Sequence, residues 1–259
     1  MNRYRVTCAY DGTDFQGWQS QPNGHGVQDV TESSLQCILG VFTRIHACSR
    51  TDSGVHARGQ VFHFDANWKH TELALKKAFS SKLPKTIIII ELVLVSKDFH
   101  ARFSAIQKTY SYQIQQAPVS PFDQRWFWEM RHNLDVKKMA LAASLFEGTF
   151  NFRAFSAKHR HTVRENTVKT VSSLQVLRFN ENCLKISITG SGFLYKMVRI
   201  IVGVLVDVGA SRIAIEKIPS WLELGLRSPK MFVAPAKGLF LDNIDYRQSI
   251  IIKKYFEKY

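Results

Sequence analysis

The most concentrated polar segment of the chain is Ser49-Arg50-Thr51-Asp52-Ser53-Gly54-Val55-His56-Ala57. It joins one acid to a guanidinium, a hydroxyl on each side and a glycine that permits a tight backbone. A carboxylate that acts as nucleophile or base must stay ionised where water is excluded. Desolvation alone favours its neutral form, so a cation or hydrogen-bond donors must stand close by. Arg50 and Thr51 are able to supply them. The same residue types also suit a surface turn in which Asp52 bonds its own backbone and Gly54 closes the bend. On residue type and spacing alone both readings stand.

Other chemistries find less support. Cys8, Cys37, Cys48 and Cys183 form no C-x-x-C pair, which argues against a zinc knuckle or dithiol redox site and for free, mostly buried thiols in a reducing compartment. His159 and His161 stand at an H-x-H spacing that is poor for a metal site. With Lys158, Arg160 and Arg164 they make a basic loop suited to phosphate contacts. His56 and His63 are expected to bond locally, and Trp126 and Trp128 to pack. No glycine-rich phosphate cradle is present, and neither a metal nor a cofactor is expected.

The charge balance points to a polyanion. Lys and Arg number 35 against 21 Asp and Glu, a formal net charge of +14, and such a field concentrates nucleic acid around a protein. The N-terminus runs directly into a strand-like pattern without the apolar core of a signal peptide. Thr86 to Val95 is too short to span a bilayer, and Phe193 to Val208 carries Lys196, Arg199 and Asp207. The expectation is a soluble, cytoplasmic protein with no membrane segment.

The elements that must position these residues can be read from periodicity. Val6, Cys8 and Tyr10 alternate with polar neighbours, a half-buried strand broken by Asp11-Gly12-Thr13-Asp14. Gln28 to Leu39 reads as a helix with a modest apolar stripe, Gly59 to Phe64 as a strand, and Thr71 as the N-cap of a helix running to Phe79. The β-branched run Thr86 to Val95 predicts a central strand buried on both faces. Thr109 to Gln115 alternates, with Tyr110, Tyr112 and Ile114 on one side. Asp135 to Phe146 predicts an amphipathic helix. Val168 to Phe179 and Leu184 to Thr189 predict two antiparallel strands joined at Asn180-Glu181-Asn182. Phe193 to Val208 predicts a buried helix, and Gly238 to Tyr246 a last strand. Strands with helices interspersed irregularly favour an α+β fold with mixed or antiparallel sheets. We expect two similar halves, 1–107 carrying the Asp52 loop and 108–259 carrying Tyr110, Arg199 and the last strand, with an active-site cleft between them.

Ser49-Arg50-Thr51-Asp52-Ser53-Gly54-Val55-His56-Ala57-Arg58-Gly59-Gln60-Val61 resembles the catalytic loop of the tRNA pseudouridine synthase A family, whose pattern is G-R-T-D-x-G-V-H-A-x-G-Q-V. The likeness continues in family order through Tyr10 to Gln19, through Phe99-His100-Ala101-Arg102-Phe103-Ser104-Ala105 with Lys108 to Tyr112, through Ser191 to Arg199, and through Ala234 to Leu239. Five collinear motifs cover nearly the whole chain. Two departures are Ser49 where the family has Gly and Ile200 where it has Asn. They alter no residue given a chemical role, but bear on loop tightness and on hydrogen bonds around Arg199.

The resemblance implies the pseudouridine synthase fold and conversion of uridine to pseudouridine in the tRNA anticodon stem-loop, at positions 38, 39 and 40, by a homodimer without cofactor. It implies Asp52 as the essential carboxylate, leaving open whether it attacks ribose or uracil or removes a ribose proton. It further implies Arg199 as the ion-pair partner of Asp52, Tyr110 against the target uracil as stacking ring and acid–base group, Arg50 in the space left by a flipped nucleotide, and Leu239 as an apolar wall of the pocket. The rival reading is an RNA-binding or RNA-chaperone protein of the same fold without catalysis.

Overall fold

The computed structural model describes residues 1–157 and 166–247. The basic loop at Lys158 to Arg164 lies outside the described residues. The chain forms two compact units, one of residues 1–106 with 241 onward, the other of 107–240. The segment from Leu241 groups with the first unit, not with the second half.

In the first unit, β1 (Asn2–Tyr10) pairs antiparallel with β3 (His56–Ala66) and with β4 (Ile87–Val95). The short β2 (His46–Ala47) lies on β3, and the strand order is β4-β1-β3-β10, the last being Leu239–Tyr246. Alternate residues Tyr4, Val6, Cys8 and Tyr10 of β1 are buried, as a period of two requires. Phe62 and Phe64 of β3 share the resulting core with Trp18 and with Phe79 of α2 (Glu72–Lys82). Thr71 caps α2 by accepting the Ala74 N–H. Contrary to the sequence expectation, β4 is not a central strand. It ends the strand order, and Ile88 and Ile90 are exposed. A β-branched run reports strand propensity and not the number of neighbours.

The modest apolar stripe of α1 (Val27–Leu39) has a specific cause. Its inward face carries Gln28, Thr31, Glu32 and Ser34, all buried. Glu32 accepts from Gln28, from Arg44 and from the Ile45 N–H, so this face is satisfied by hydrogen bonds where most helices would use apolar contact.

In the second unit the order is β5 (Ala105–Gln115), β9 (Cys183–Gly190), β8 (Val168–Arg178), β7 (Gly148–Asn151), with β6 (Trp128–Glu129) beside β5. Tyr110, Tyr112 and Ile114 stand opposite Ile188, Ile186 and Leu184, the cross-strand apolar ladder expected from alternation. The β8–β9 turn is held by Asn180, whose side-chain oxygen accepts the N–H groups of Asn182 and Cys183. α3 (Val136–Ser144) packs on β8 and on α4 (Met197–Gly209), and α5 (Lys217–Leu224) follows. Every residue of α4 except Arg199 is buried. The helix begins four residues later than the hydrophobic run, because Lys196 adopts a left-handed conformation (φ 59°) and Met197 N–H closes a turn on Leu194 C=O. None of the described helices is long and apolar enough to cross a membrane. The α+β class with antiparallel and mixed pairing is the one expected.

Candidate active site

The Asp52 segment leads into β3, and the N-terminal motif packs directly on it. Val55 N–H bonds Asp52 C=O at 3.1 Å, closing a four-residue turn with Gly54 at its third position and φ +76°. Such a turn needs a residue free to enter the left-handed region, which is why glycine stands there. A turn therefore does form, as the plainer reading of the sequence required. What sets it apart from an ordinary surface bend is its anchoring.

Thr51, directly before the acid, is buried. Its hydroxyl lies 2.7 Å from the Tyr10 hydroxyl, and its carbonyl accepts the Trp18 N–H at 3.1 Å. Ser53, directly after the acid, donates its hydroxyl to Phe15 C=O. Gly12 N–H donates to His56 Nδ1 at 3.1 Å. Two glycines allow this interlocking. A Cβ on Gly12 would meet Val55 O at 2.0 Å, and one on Gly17 (φ +83°) would meet Thr51 O at 2.6 Å. Asp52 itself is half-buried and Arg50 is exposed. The result is a carboxylate on a tight turn whose flanking residues are bonded on both sides to the segment from Tyr10 to Trp18.

Sequence reasoning gave that N-terminal motif a family likeness and its residues no function. Tyr10, Gly12, Gly17 and Trp18 are the positioning residues it missed. The available signal was the pair of glycines spaced within a short polar segment after a strand, each marking a close backbone approach.

Tyr110, Arg199 and Leu239 belong to the second unit. Tyr110 is buried on β5 with its ring edge-on to Phe193, centroids 5.3 Å apart. Arg199, half-buried on α4, donates from Nε to Ala234 C=O at 2.7 Å, and Ala234 N–H returns a bond to Arg199 C=O at 3.1 Å. The segment that follows is pinned from β5. Tyr112 donates its hydroxyl to Pro235 C=O at 2.7 Å, and a Cβ on Gly238 would meet the Tyr112 ring at 2.7 Å. Burial pushes the Tyr112 phenol far above its ordinary pKa, while the positive charge of Arg199 opposes that rise. The phenol stays a neutral donor, as its bond to a carbonyl demands. Leu239, buried at the start of β10, emerges from this clamp. Arg199 and the turn before Leu239 are thus one bonded assembly with Tyr112, a residue to which sequence reasoning gave no role beyond the face of a strand. Trp128 packs against Tyr112 and Phe232, and Trp126 against Phe240, as expected.

His56 and His63 each accept a main-chain N–H at Nδ1 from a distant part of the chain, Gly12 and Ala101 respectively. Among the described residues no group of three or more His, Cys, Asp or Glu is placed to hold a metal ion. All four cysteines are free thiols.

A family model described as tRNA pseudouridine synthase matches residues 7–104 and 142–247. The chain is 41% identical over 254 residues to "tRNA pseudouridine synthase A" of Akkermansia muciniphila, covering 95% of this chain and 96% of that one. It is 39% identical to "tRNA pseudouridine synthase A 1" of Protochlamydia amoebophila and 36% identical to "tRNA pseudouridine synthase A" of Limosilactobacillus reuteri, in each case over 95% of this chain and 97% of the relative.

Proposed function

Because the chain belongs to the tRNA pseudouridine synthase family, we propose that it isomerises uridine to pseudouridine in tRNA with Asp52 as its essential carboxylate. The N1–C1′ glycosidic bond breaks, the uracil turns in place, and C5 bonds to C1′. The proton lost from C5 is balanced by one gained at N1, so substrate and product are isomers and no redox partner or nucleotide is consumed. One carboxylate suffices, since the base never leaves and no water attacks. Hydrolysis of a glycosidic bond pairs two acids instead. Water must be excluded from the intermediate, or the base is lost.

The observation that carries this reading is the anchoring of the Asp52 turn. Rate depends on holding the reacting group in one geometry, and Thr51 and Ser53 are tied on either side of the acid to the segment from Tyr10 to Trp18. The same reading extends to the other candidate residues. Arg199 is the ion-pair partner of Asp52. Tyr110 stacks on the target uracil and serves as its acid–base group, Leu239 forms an apolar wall, and exposed Arg50 fills the place of the flipped nucleotide. The substrate region is the anticodon stem-loop at positions 38 to 40, the working form is a cytoplasmic homodimer, and the net charge of +14 draws the RNA in.

Asp52→Asn tests this. The amide keeps the shape and loses both nucleophilicity and basicity, so pseudouridine formation under single-turnover conditions is expected to vanish while tRNA affinity stays near wild type. An Asn that still forms pseudouridine at a comparable rate overturns the assignment. A wild-type protein that binds tRNA and forms none establishes the RNA-binding reading instead.

A further inference from the structure

Gln60 is fully buried in β3 and its side-chain amide is spent on the backbone. Oε1 accepts the Ser49 N–H at 3.3 Å and the Val61 N–H at 3.1 Å, and Nε2 donates to Ser49 C=O at 2.7 Å. The β2–β3 ladder pairs His46 with His63 and Ala47 with Phe62, and Cys48 N–H still reaches Val61 C=O at 2.8 Å. One residue on, at Ser49, the side chain of Gln60 takes over the two bonds that a partner strand's main chain would make. The ladder is thereby extended by a side chain, and the path of the chain is set three residues before Asp52. Thr51, two residues on, is held by Tyr10 and Trp18.

We infer that Gln60 is a positioning residue for the reaction, aiming the Asp52 turn by clamping Ser49 at its root. The inference rests on the reading of Asp52 as the catalytic carboxylate. An amide is the side chain this place requires, because it must accept and donate at once. A carboxylate set against Ser49 C=O has no proton to give and faces the carbonyl with like partial charge. Once protonated, the same group regains the donor and matches the amide.

The experiment compares wild type, Gln60→Glu, Gln60→Met and Asp52→Asn in single-turnover pseudouridine formation at saturating tRNA across pH, with tRNA affinity measured in parallel. Displacing a reacting group by about 1 Å costs on the order of 10²-fold in rate. Gln60→Met is expected to lose rate on that scale at every pH while tRNA affinity is kept. Gln60→Glu is expected to be equally slow at alkaline pH and to recover towards wild type as pH falls, the Glu proton restoring the donor. A residue serving only the fold would lower the unfolding midpoint of both variants and leave the rate of the folded protein unchanged. Rates of Gln60→Met and Gln60→Glu within twofold of wild type, with Asp52→Asn inactive, overturn the role of Gln60 and leave that of Asp52 standing. An active Asp52→Asn removes the Asp52 reading itself. Should Gln60→Met not fold, the pH recovery of Gln60→Glu supplies the same test within one protein. Failure of both to fold at any pH also overturns the inference, since Gln60 would then serve the fold.

Discussion

The Tyr10 hydroxyl and the Thr51 hydroxyl lie 2.7 Å apart, both residues buried, so the end of the first strand is bonded to the residue that precedes the candidate catalytic acid. Tyr10→Phe removes one partner and leaves the Thr51 hydroxyl short of a bond in a buried place. Leaving a buried polar group unsatisfied costs about 1–3 kcal/mol. Denaturant unfolding is expected to show a loss in that range, with a lower single-turnover rate. Tyr10→Phe/Thr51→Val, which removes both polar groups, should recover some of the stability. A double variant as unstable as the sum of its singles shows that the two hydroxyls are not coupled.

Gly12 and Gly24 distinguish close approach from backbone freedom. A Cβ on Gly12 runs into Val55 O, whereas one on Gly24 (φ +71°) meets nothing within 4 Å. Gly24→Ala bears only the left-handed backbone penalty of roughly 1–2 kcal/mol. Gly12→Ala must push the two backbone segments away from each other at the Asp52 turn and should cost more than that, with loss of pseudouridine formation. Equal unfolding midpoints for the two variants contradict the interlocked arrangement.

Arg199 holds Ala234 through its Nε, a donor that lysine has no counterpart for at that position along the side chain. Arg199→Lys keeps a positive charge and drops the tie to the segment leading to Leu239. Both Arg199→Lys and Arg199→Met are expected to lose kcat by orders of magnitude, lysine retaining the larger remnant. A lysine variant with wild-type kcat would show that charge alone is required there.

His63 is held down to a pKa of about 4 by burial first and by the neighbouring His100, Arg3 and His46. Its folded value lies below the ordinary 6.5, so the unfolded chain takes up the proton first. The stability tied to neutral His63 is complete above pH 6.5 and is lost as pH falls towards 4. His100, also held low mainly by burial, titrates in the same sense. Unfolding midpoints recorded between pH 7 and 4 should fall less steeply in His63→Gln than in wild type; an unchanged slope would assign the acid sensitivity elsewhere.

Much of this molecule was legible in its residues. The alternation of Val6, Cys8 and Tyr10, the cap at Thr71 and the Asn180 turn are local patterns, and each appears where local physics placed it; the buried helix around Arg199 does too, except that it starts four residues inside its run. Asp52 and Gly54 were equally readable, because an acid and a turn glycine within one polar segment are a matter of spacing. The neighbours of β4 were not, since a run of isoleucines specifies a strand and cannot say whether one strand or two will flank it. Nor could periodicity show that α1 buries a polar face, for Glu32 is satisfied by Arg44 and Ile45, and Gln28 by Gln19 and Ser20, residues beyond the helix. The support of Asp52 was hidden for the same reason. Tyr10 reaches Thr51 across 41 residues and Gln60 reaches Ser49 across 11. Hydrogen bonds at such separations exist only once β1, β2 and β3 have paired in register, so the sequence determined which residue carries the charge, and the tertiary structure decided what holds it still.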